Sequence, residues 1–317
     1  MPSSPRAAEA PVAEEDTPSS LDESAVESIS RGAPSWLSER RRHAWSVFED
    51  TPLPSTRSEE WRYTDVSRMV DFADLRLAPD GMPAENGSRP AGLTAAMEED
   101  LAASGHAVLV DGNVVHVDLD PALEEQGVIL TSLRAAVNEH GGLLEELLAT
   151  EVLPPEEGKF QALNAALWSD GVLLYVPPNV KLDLPVRATR WLSHAGSAVF
   201  ARTLIVAEPG SQVSYVEELL SEDFDKRTLV SSAVEVIARD GARIQYVSLQ
   251  RLGQGVFCQS AQRTLAHRDS KLDTLNVNLG ASVTRLDLNA QLLGAGAHSE
   301  MLGLYFYNRA RVEGVKV

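Results

Sequence analysis

The chain has 317 residues, 44% of them hydrophobic, which is enough for a large core and a satellite region. Its 46 acidic residues against 28 basic ones give a formal net charge of −18, so nucleic acid is disfavoured as the main ligand, because phosphate contacts need basic stripes. No stretch approaches the ~18 to 20 uninterrupted apolar residues of a membrane helix, MPSSPRAAEAPVAEED is not a secretory signal, and the single cysteine, Cys258, excludes an internal disulfide or a Cys-x-x-Cys site. A cytoplasmic chain is expected, and the acidic, lysine-poor composition also suits a salt-rich cytoplasm.

Residues 1–20 are rich in Pro, Ser, Ala and Glu and read as a disordered acidic tail, since they bury too little to offset ordering entropy. Helical signals begin near Leu21. Pro34 suits a first helical turn, and Trp36, Leu37, Arg40, Ala44, Trp45 and Phe48 then share one face until Pro52 and Pro54 stop the helix. Ser58-Glu59-Glu60-Trp61 opens a short helical segment, and residues 72–90 are loop-like. Ala107 to Leu119 alternates around Asp111-Gly112-Asn113 and predicts a hairpin. Ser132 is placed to cap a helix that His140-Gly141-Gly142 interrupts; a second helix carries Leu143, Leu144, Leu147 and Leu148, and a third Phe160, Leu163, Ala166 and Leu167. Residues 21–168 thus form an N-terminal helical (α/β) region.

The hydrophobic period changes from 3.6 to 2 at Asp170-Gly171, where residues 169–306 begin a β core. Val172, Leu174 and Val176 alternate, Pro177-Pro178-Asn179 turns the chain, and Val180, Leu182 and Leu184 alternate again before Pro185. Strand-like runs follow at Val199–Val206, Val213–Leu219, Ala233–Ile237, Ile244–Leu249, Val256–Leu265, Leu272–Leu279, Val283–Leu292 and Met301–Phe306. The turns at Pro209-Gly210-Ser211, Asp240-Gly241-Ala242, Asp269-Ser270-Lys271 and Gly294-Ala295-Gly296 fall 26 to 31 residues apart. A β-sandwich would show short strands at even spacing, and a parallel β-helix coils of about 20 to 30 residues. The drift in repeat length fits a β-helix better, and strand pattern leaves both open.

No motif supplies a self-contained active site. Gly158-Lys159-Phe160 lacks the glycine before and the Ser or Thr after that a phosphate cradle requires. Gly253-Gln254-Gly255 and Gly294-Ala295-Gly296 do not run on into a dinucleotide fingerprint and read as turns. None of the seven histidines, His43, His106, His116, His140, His194, His267 and His298, has metal-ligand spacing to another; His267 and His298 fall in neighbouring coils, where they could stack or stand as ordinary turn residues. Glu217 and Glu218 point to opposite faces of a strand, and a solvated face with one inward acid near a turn explains them. Cys258 reads as a small buried apolar residue, with a cluster ligand or reactive thiol as the alternative. No catalytic or metal residue is assigned, and no cofactor-binding residue is identified.

Four segments, in order, resemble the SufB/SufD family of iron–sulfur cluster assembly proteins, and SufD more than SufB. They are Arg57-Ser58-Glu59-Glu60-Trp61-Arg62-Tyr63-Thr64; Ala162 to Ala166 through Asp170-Gly171, Val176 to Val180 and Leu184-Pro185-Val186; Arg202 to Val206 with Ser211 to Glu217; and Thr284-Arg285-Leu286-Asp287 with Leu293-Gly294 and Gly303-Leu304-Tyr305. The resemblance implies a mainly β fold, a right-handed parallel β-helix core preceded by a helical N-terminal region. It also implies a non-catalytic scaffold in a SufB–SufC–SufD-type complex. A SufB-like subunit would bind through the β-helix and a SufC-like ATPase through a helical C-terminal domain. It implies no cofactor held firmly by this chain alone, with iron or an iron–sulfur cluster passing transiently at a partner interface. A β-helix enzyme acting on polysaccharide and a purely structural solenoid are the alternatives. Residues 307–317 read as an atypical tail, unlike the further coils, interfacial histidine and C-terminal helical domain of the family, and suggest a truncation or shifted reading frame. A β-helix stopped mid-stack exposes unpaired backbone groups on its last rung, so poor solution behaviour and no capture of the SufC-like ATPase are expected.

Overall fold

The computed structural model describes residues 20–79, 90–98, 101–150, 152–306 and 312–316. Apart from Ser20, the expected acidic tail lies outside these residues. The first half is a run of short elements. Helix α1 (Glu23–Ile29) is capped by Asp22, whose carboxylate accepts from Ala25 N at 3.3 Å. Helix α2 (Ser35–Asp50) starts after Pro34, ends before Pro52 and buries Leu37, Arg41, Ala44 and Trp45. A 3-10 turn at Glu59–Trp61, helix α3 (Val66–Met69), strand β1 (Arg76–Leu77) and helix α4 (Ala91–Glu98) follow. Strands β2 (Gly105–Val110) and β3 (Asn113–Leu119) form the expected hairpin. Its turn residues Asp111 and Gly112 both have left-handed φ, 47° and 88°, the combination a tight Asp-Gly hairpin turn demands. Next come α5 (Pro121–Glu125), β4 (Ile129–Ser132), α6 (Leu133–Glu139), α7 (Gly141–Leu147), a 3-10 turn at Pro155–Glu157 and α8 (Lys159–Leu167). Ser132 caps α6 by accepting from Ala135 N at 3.0 Å.

The second half is a β-solenoid of about five turns, and the protein is mainly β, 41% strand against 25% helix. The strands are β5 (Asp170–Val176), β6 (Val186–Leu192), β7 (Ser197–Ala207), β8 (Gln212–Ser221), β9 (Thr228–Ala238), β10 (Arg243–Arg251), β11 (Val256–Ala266), β12 (Lys271–Asn278), β13 (Val283–Leu292), β14 (His298–Tyr305) and β15 (Val312–Lys316). They alternate between two sheets, ordered β15-β13-β11-β9-β7-β5-β4 and β14-β12-β10-β8-β6-β2-β3. From β5 onward all neighbours are parallel, with Ala198 opposite Leu229 and Gln212 opposite Arg243. Parallel pairing one coil apart excludes a sandwich of hairpins, because hairpin-joined strands pair antiparallel. Within 307–317, β15 adds a parallel rung on β13.

The recurring turns form a hydrogen-bonded column along the stack. Asn179 N donates to Pro209 O at 2.9 Å, Gly210 N to Asp240 O at 3.0 Å, Gly241 N to Arg268 O at 2.8 Å and Asp269 N to Ala295 O at 2.9 Å. Asn179, Gly210, Gly241, Asp269 and Gly296 all have φ between 55° and 73°. The column needs a left-handed residue once per coil, which is why Gly, Asn and Asp recur there.

The first coils enclose an aliphatic interior of Val172, Leu174, Ile205, Val213, Val234 and Val236. A larger core lies outside the β5–β13 sheet, where α1, α2 and α6 to α8 pack their apolar faces on it. Phe160 of α8 meets Phe257 of β11 edge-on at 5.8 Å.

One strand reading needs correction, and one strand went unread. Val180–Leu184 is not a strand: Lys181 makes an isolated bridge with Gln212, Leu182 is buried and Leu184 is 44% exposed. The strand lies beyond Pro185, as β6. Its pattern, VRATRWL, hides because Arg187 and Arg190 are buried against acids of the next coil. The short elements β1, α4, α5 and β4 also carried no readable period.

Candidate functional site

The outer faces of the two sheets differ. That of the β5–β13 sheet is sealed by the N-terminal helices, and the seal includes a buried polar joint. Arg202 Nη2 pairs with Glu235 Oε1 at 2.8 Å, and Arg202 Nη1 donates to Asn164 of α8 at 3.2 Å. Asn164 in turn donates to Ser231 O at 2.7 Å, and Ala149 N donates to Glu235 at 3.2 Å. Burial raises the Glu235 pKa and the Arg202 charge opposes that rise. Further along, Arg263 Nε reaches Glu157 at 2.7 Å and Arg285 lies over the Trp61 ring at 4.7 Å.

Among the described residues, the opposite face is covered at its start, where Leu93 and Ala96 of α4 pack with Trp191 and Leu220. Strand register then lines up Val216, Val247, Leu275 and Leu302, and beside them Leu249, Val277 and Leu304. These side chains point outward. They are half-buried up to β12, and Leu302 and Leu304 on β14 are 52% and 48% exposed. Phe306, Leu292 and Leu293 are also exposed apolar side chains. Among the described residues β14 pairs only with β12. An aliphatic ladder that becomes exposed at β14 is a candidate association surface, because it offers contiguous apolar area.

Between the sheets lies a second buried polar cluster. Arg190 Nε donates to Glu217 Oε2 at 3.1 Å, Arg190 also donates to Thr203, and Tyr246 Oη donates to Glu217 Oε1 at 2.5 Å. Tyr215 stacks on Tyr246 with centroids 6.0 Å apart. Burial and the Glu217 charge push both tyrosines above their ordinary pKa. The same two causes, burial first, push the Cys258 thiol up to about 12. The thiolate is the nucleophile and metal ligand, so Cys258 at neutral pH is a packed thiol, 3% exposed.

Glu217 and Glu218 do face opposite sides, but the solvated-face reading is wrong. Both are buried, Glu217 in the interior cluster and Glu218 outside, within 3.8 Å of Arg187 and 3.0 Å of Arg251. Neighbouring rungs bring arginines beside both acids, a coincidence invisible along one strand. His267 and His298 are not stacked by register: His298 opposes Lys271, and His267 sits across the turn, 3.4 Å from Arg239. His43 meets Glu156 at 2.6 Å, His106 meets Thr189 at 2.9 Å, and His116 meets Asp118 at 3.1 Å. His140 separates α6 from α7. His194 Nδ1 lies 2.7 Å from the buried Asp111, which raises its pKa through that hydrogen bond. Among the described residues, no three of His, Cys, Asp or Glu are grouped to hold a metal. No helix among them is long and apolar enough to cross a membrane.

Lys159 sits 3.8 Å over the Phe48 ring and donates to Phe48 O, a helix-packing role. Gly253-Gln254-Gly255 is a solenoid corner in which a Cβ on Gly253 would fall 2.1 Å from Glu222 O. The residues that sequence reasoning missed are Arg187, Arg190 and Asp111 with His194. The available signal was arginine at alternate strand positions with acids one coil length later.

A family model of the SufBD protein N-terminal region matches residues 14–188, and one of the SufBD core domain of SUF-system FeS cluster assembly matches residues 190–314. Proteins of Staphylococcus haemolyticus and Staphylococcus epidermidis, each named as an iron–sulfur cluster assembly SufBD family protein, are 31% identical over 300 residues. A Staphylococcus aureus protein of the same description is 29% identical over 300 residues. The alignments cover 92% of this chain and 64% of each relative, so the chain spans less than two thirds of their length.

Proposed function

This chain belongs to the SufBD family of iron–sulfur cluster assembly proteins, and from that premise we propose that it is a non-catalytic, SufD-like scaffold subunit that docks a SufB-like partner through the aliphatic ladder that runs to β14. The single observation that carries this reading is the asymmetry of the two sheets. One outer face is closed by the protein's own helices, and the other leads Val216, Val247 and Leu275 to the exposed Leu302 of β14. A rigid stack whose coils are tied by main-chain bonds holds such a surface in fixed register, which lowers the entropic cost of association. In this reading iron, sulfur or a nascent cluster is cargo at the partner interface. The β14 segment Gly303-Leu304-Tyr305 lies within the stretch that resembles the family. A cytoplasmic setting belongs to the same reading, and the SufC-like ATPase is expected to bind a helical C-terminal domain of the full-length family rather than the coils of this chain.

The experiment is co-expression of the full-length chain with SufB-like and SufC-like subunits, comparing the parent with Leu302→Asp and Leu304→Asp. A folded double variant, checked by far-UV circular dichroism, should lose the SufB-like subunit on purification. Undiminished capture would overturn the docking site, and absence of any complex with the parent would overturn the scaffold assignment.

A further inference from the structure

A cleft of about 340 Å³ opens where the connection between α3 and β1 meets the corners that lead into β7 and β9, and its lining includes Asp71, Asp74, Gly196, Lys226 and Arg227. The two acids stand on one wall and the two cations on the other. The volume falls within the ~300–1,000 Å³ of small-ligand clefts.

Each wall is fixed by its own backbone. Asp74 N donates to Asp71 O at 3.2 Å, and Asp71 Oδ1 accepts from Ala73 N at 3.0 Å. Val70 and Leu75 anchor this connection in the helical core and also line the cleft. Strand β1 then fastens the connection to the solenoid, with Arg76 opposite Ser197 and Leu77 opposite Ala198. On the other wall the buried Thr228 hydroxyl accepts from Gly196 N at 3.0 Å and donates to Lys226 O at 3.3 Å. Gly196 has a left-handed φ of 77°, and a Cβ there would fall 3.3 Å from Lys226 Cδ, so the lysine stem lies across the glycine. The opposed charges do not meet. Among the described residues, Asp71, Asp74, Lys226 and Arg227 form no ion pair. Surface charges elsewhere do pair, as Arg68 with Asp65 at 3.1 Å and Arg268 with Asp240 at 3.0 Å.

We propose that this cleft binds a small zwitterion, a free α-amino acid, with its ammonium toward Asp71 and Asp74 and its carboxylate toward Lys226 and Arg227. Opposite charges held apart by a fixed gap are both satisfied by a ligand that carries both signs, and such a ligand brings no net charge into the cleft. The carboxylates accept from the ammonium, and the arginine fork matches a carboxylate. Val70 and Leu75 offer apolar wall to a small aliphatic side chain. The four charged side chains are exposed, so their contacts are screened by salt and an affinity on the order of 1 mM is expected. The site lies away from the ladder that runs to β14 and is independent of the docking reading.

The test is calorimetric titration of the purified full chain at low ionic strength with L-alanine, and separately with L-alaninamide, which lacks the carboxylate, and propionate, which lacks the ammonium. The expected result is saturable binding of alanine, weakened by added sodium chloride, with each analogue bound about fivefold or more weakly. Asp74→Asn and Arg227→Gln change exposed side chains and should leave the fold intact, which far-UV circular dichroism checks. Each should weaken alanine about threefold or more. Arg227→Gln should leave the weak binding of alaninamide unchanged, because that probe has no carboxylate to lose. Alanine bound no better than either analogue, or bound equally well by both variants, would overturn the proposal.

Discussion

Arg285 of β13 lies 4.7 Å over the indole of Trp61, which itself stacks on Phe160 of α8 at 5.7 Å. This contact fastens the 3-10 turn of the N-terminal region to a late coil of the solenoid. It joins two of the segments that carry the family resemblance, Arg57–Thr64 and Thr284–Asp287. Arg285 is 4% exposed, so the cation and ring meet largely out of water. A double-mutant cycle with Arg285→Met and Trp61→Leu should show a coupling of about 1 to 2 kcal/mol in urea unfolding. Additive losses would mean the two side chains act separately.

The Arg190–Glu217 pair inside the solenoid predicts an asymmetric response. Arg190→Met alone leaves Glu217 buried with Tyr246 as its remaining side-chain donor and should cost about 3 to 5 kcal/mol. Arg190→Met combined with Glu217→Gln removes both charges, and the double variant should be more stable than Arg190→Met. Urea midpoints of the three proteins measure this. A double variant less stable than the single would show that the pair is net stabilising in itself.

The Asp111–His194 contact makes part of the stability pH-dependent. Asp111 Oδ1 also accepts from Ser193 N at 2.8 Å, so the carboxylate ties the hairpin tip to the end of β6. The hydrogen bond to Asp111 raises the His194 pKa in the folded state. Its contribution is therefore fully present below the unfolded histidine value of about 6.5 and lost as pH rises through the raised folded value. The Tm difference between the parent and His194→Gln should be largest near pH 5.5 and shrink above neutrality. A difference that grows with pH would contradict this.

Two glycines separate steric from conformational cost. A Cβ on Gly171 would lie 1.9 Å from the Arg202 carbonyl oxygen, across the β5–β7 pairing. Gly171→Ala should destabilise by about 3 kcal/mol or more, because a sheet held on both sides cannot move away. Gly142 in α7 has no atom within 4 Å of an added Cβ. Gly142→Ala should be neutral or stabilise by about 0.5 kcal/mol, since alanine loses less entropy in a helix. Thermal melts of the two variants should move in opposite directions.

Much of the architecture was legible because it follows from local rules. Proline at positions 34 and 52 bounds α2, Ser132 caps α6, and Asp111-Gly112 turns the hairpin, each through backbone geometry that neighbouring residues dictate. The candidate docking face was not legible. Val216, Val247, Leu275 and Leu302 are roughly one coil apart, and coil length drifts, so no fixed period reveals them as one ladder. The missed strand β6 illustrates the same limit: its inward Arg190 looks like a surface residue until Glu217 of the next coil is set beside it.

The sequence alone determined the change from helical to strand period at Asp170 and the recurring turn residues, because these depend on contacts within a few residues. Only the tertiary structure decided parallel stacking over a sandwich, the ion pairs that bury Arg190 and Arg202, and the different cover of the two sheet faces. These rest on pairings about one coil or more apart, and the partner of a buried charge is set by register in space, which a linear pattern does not carry.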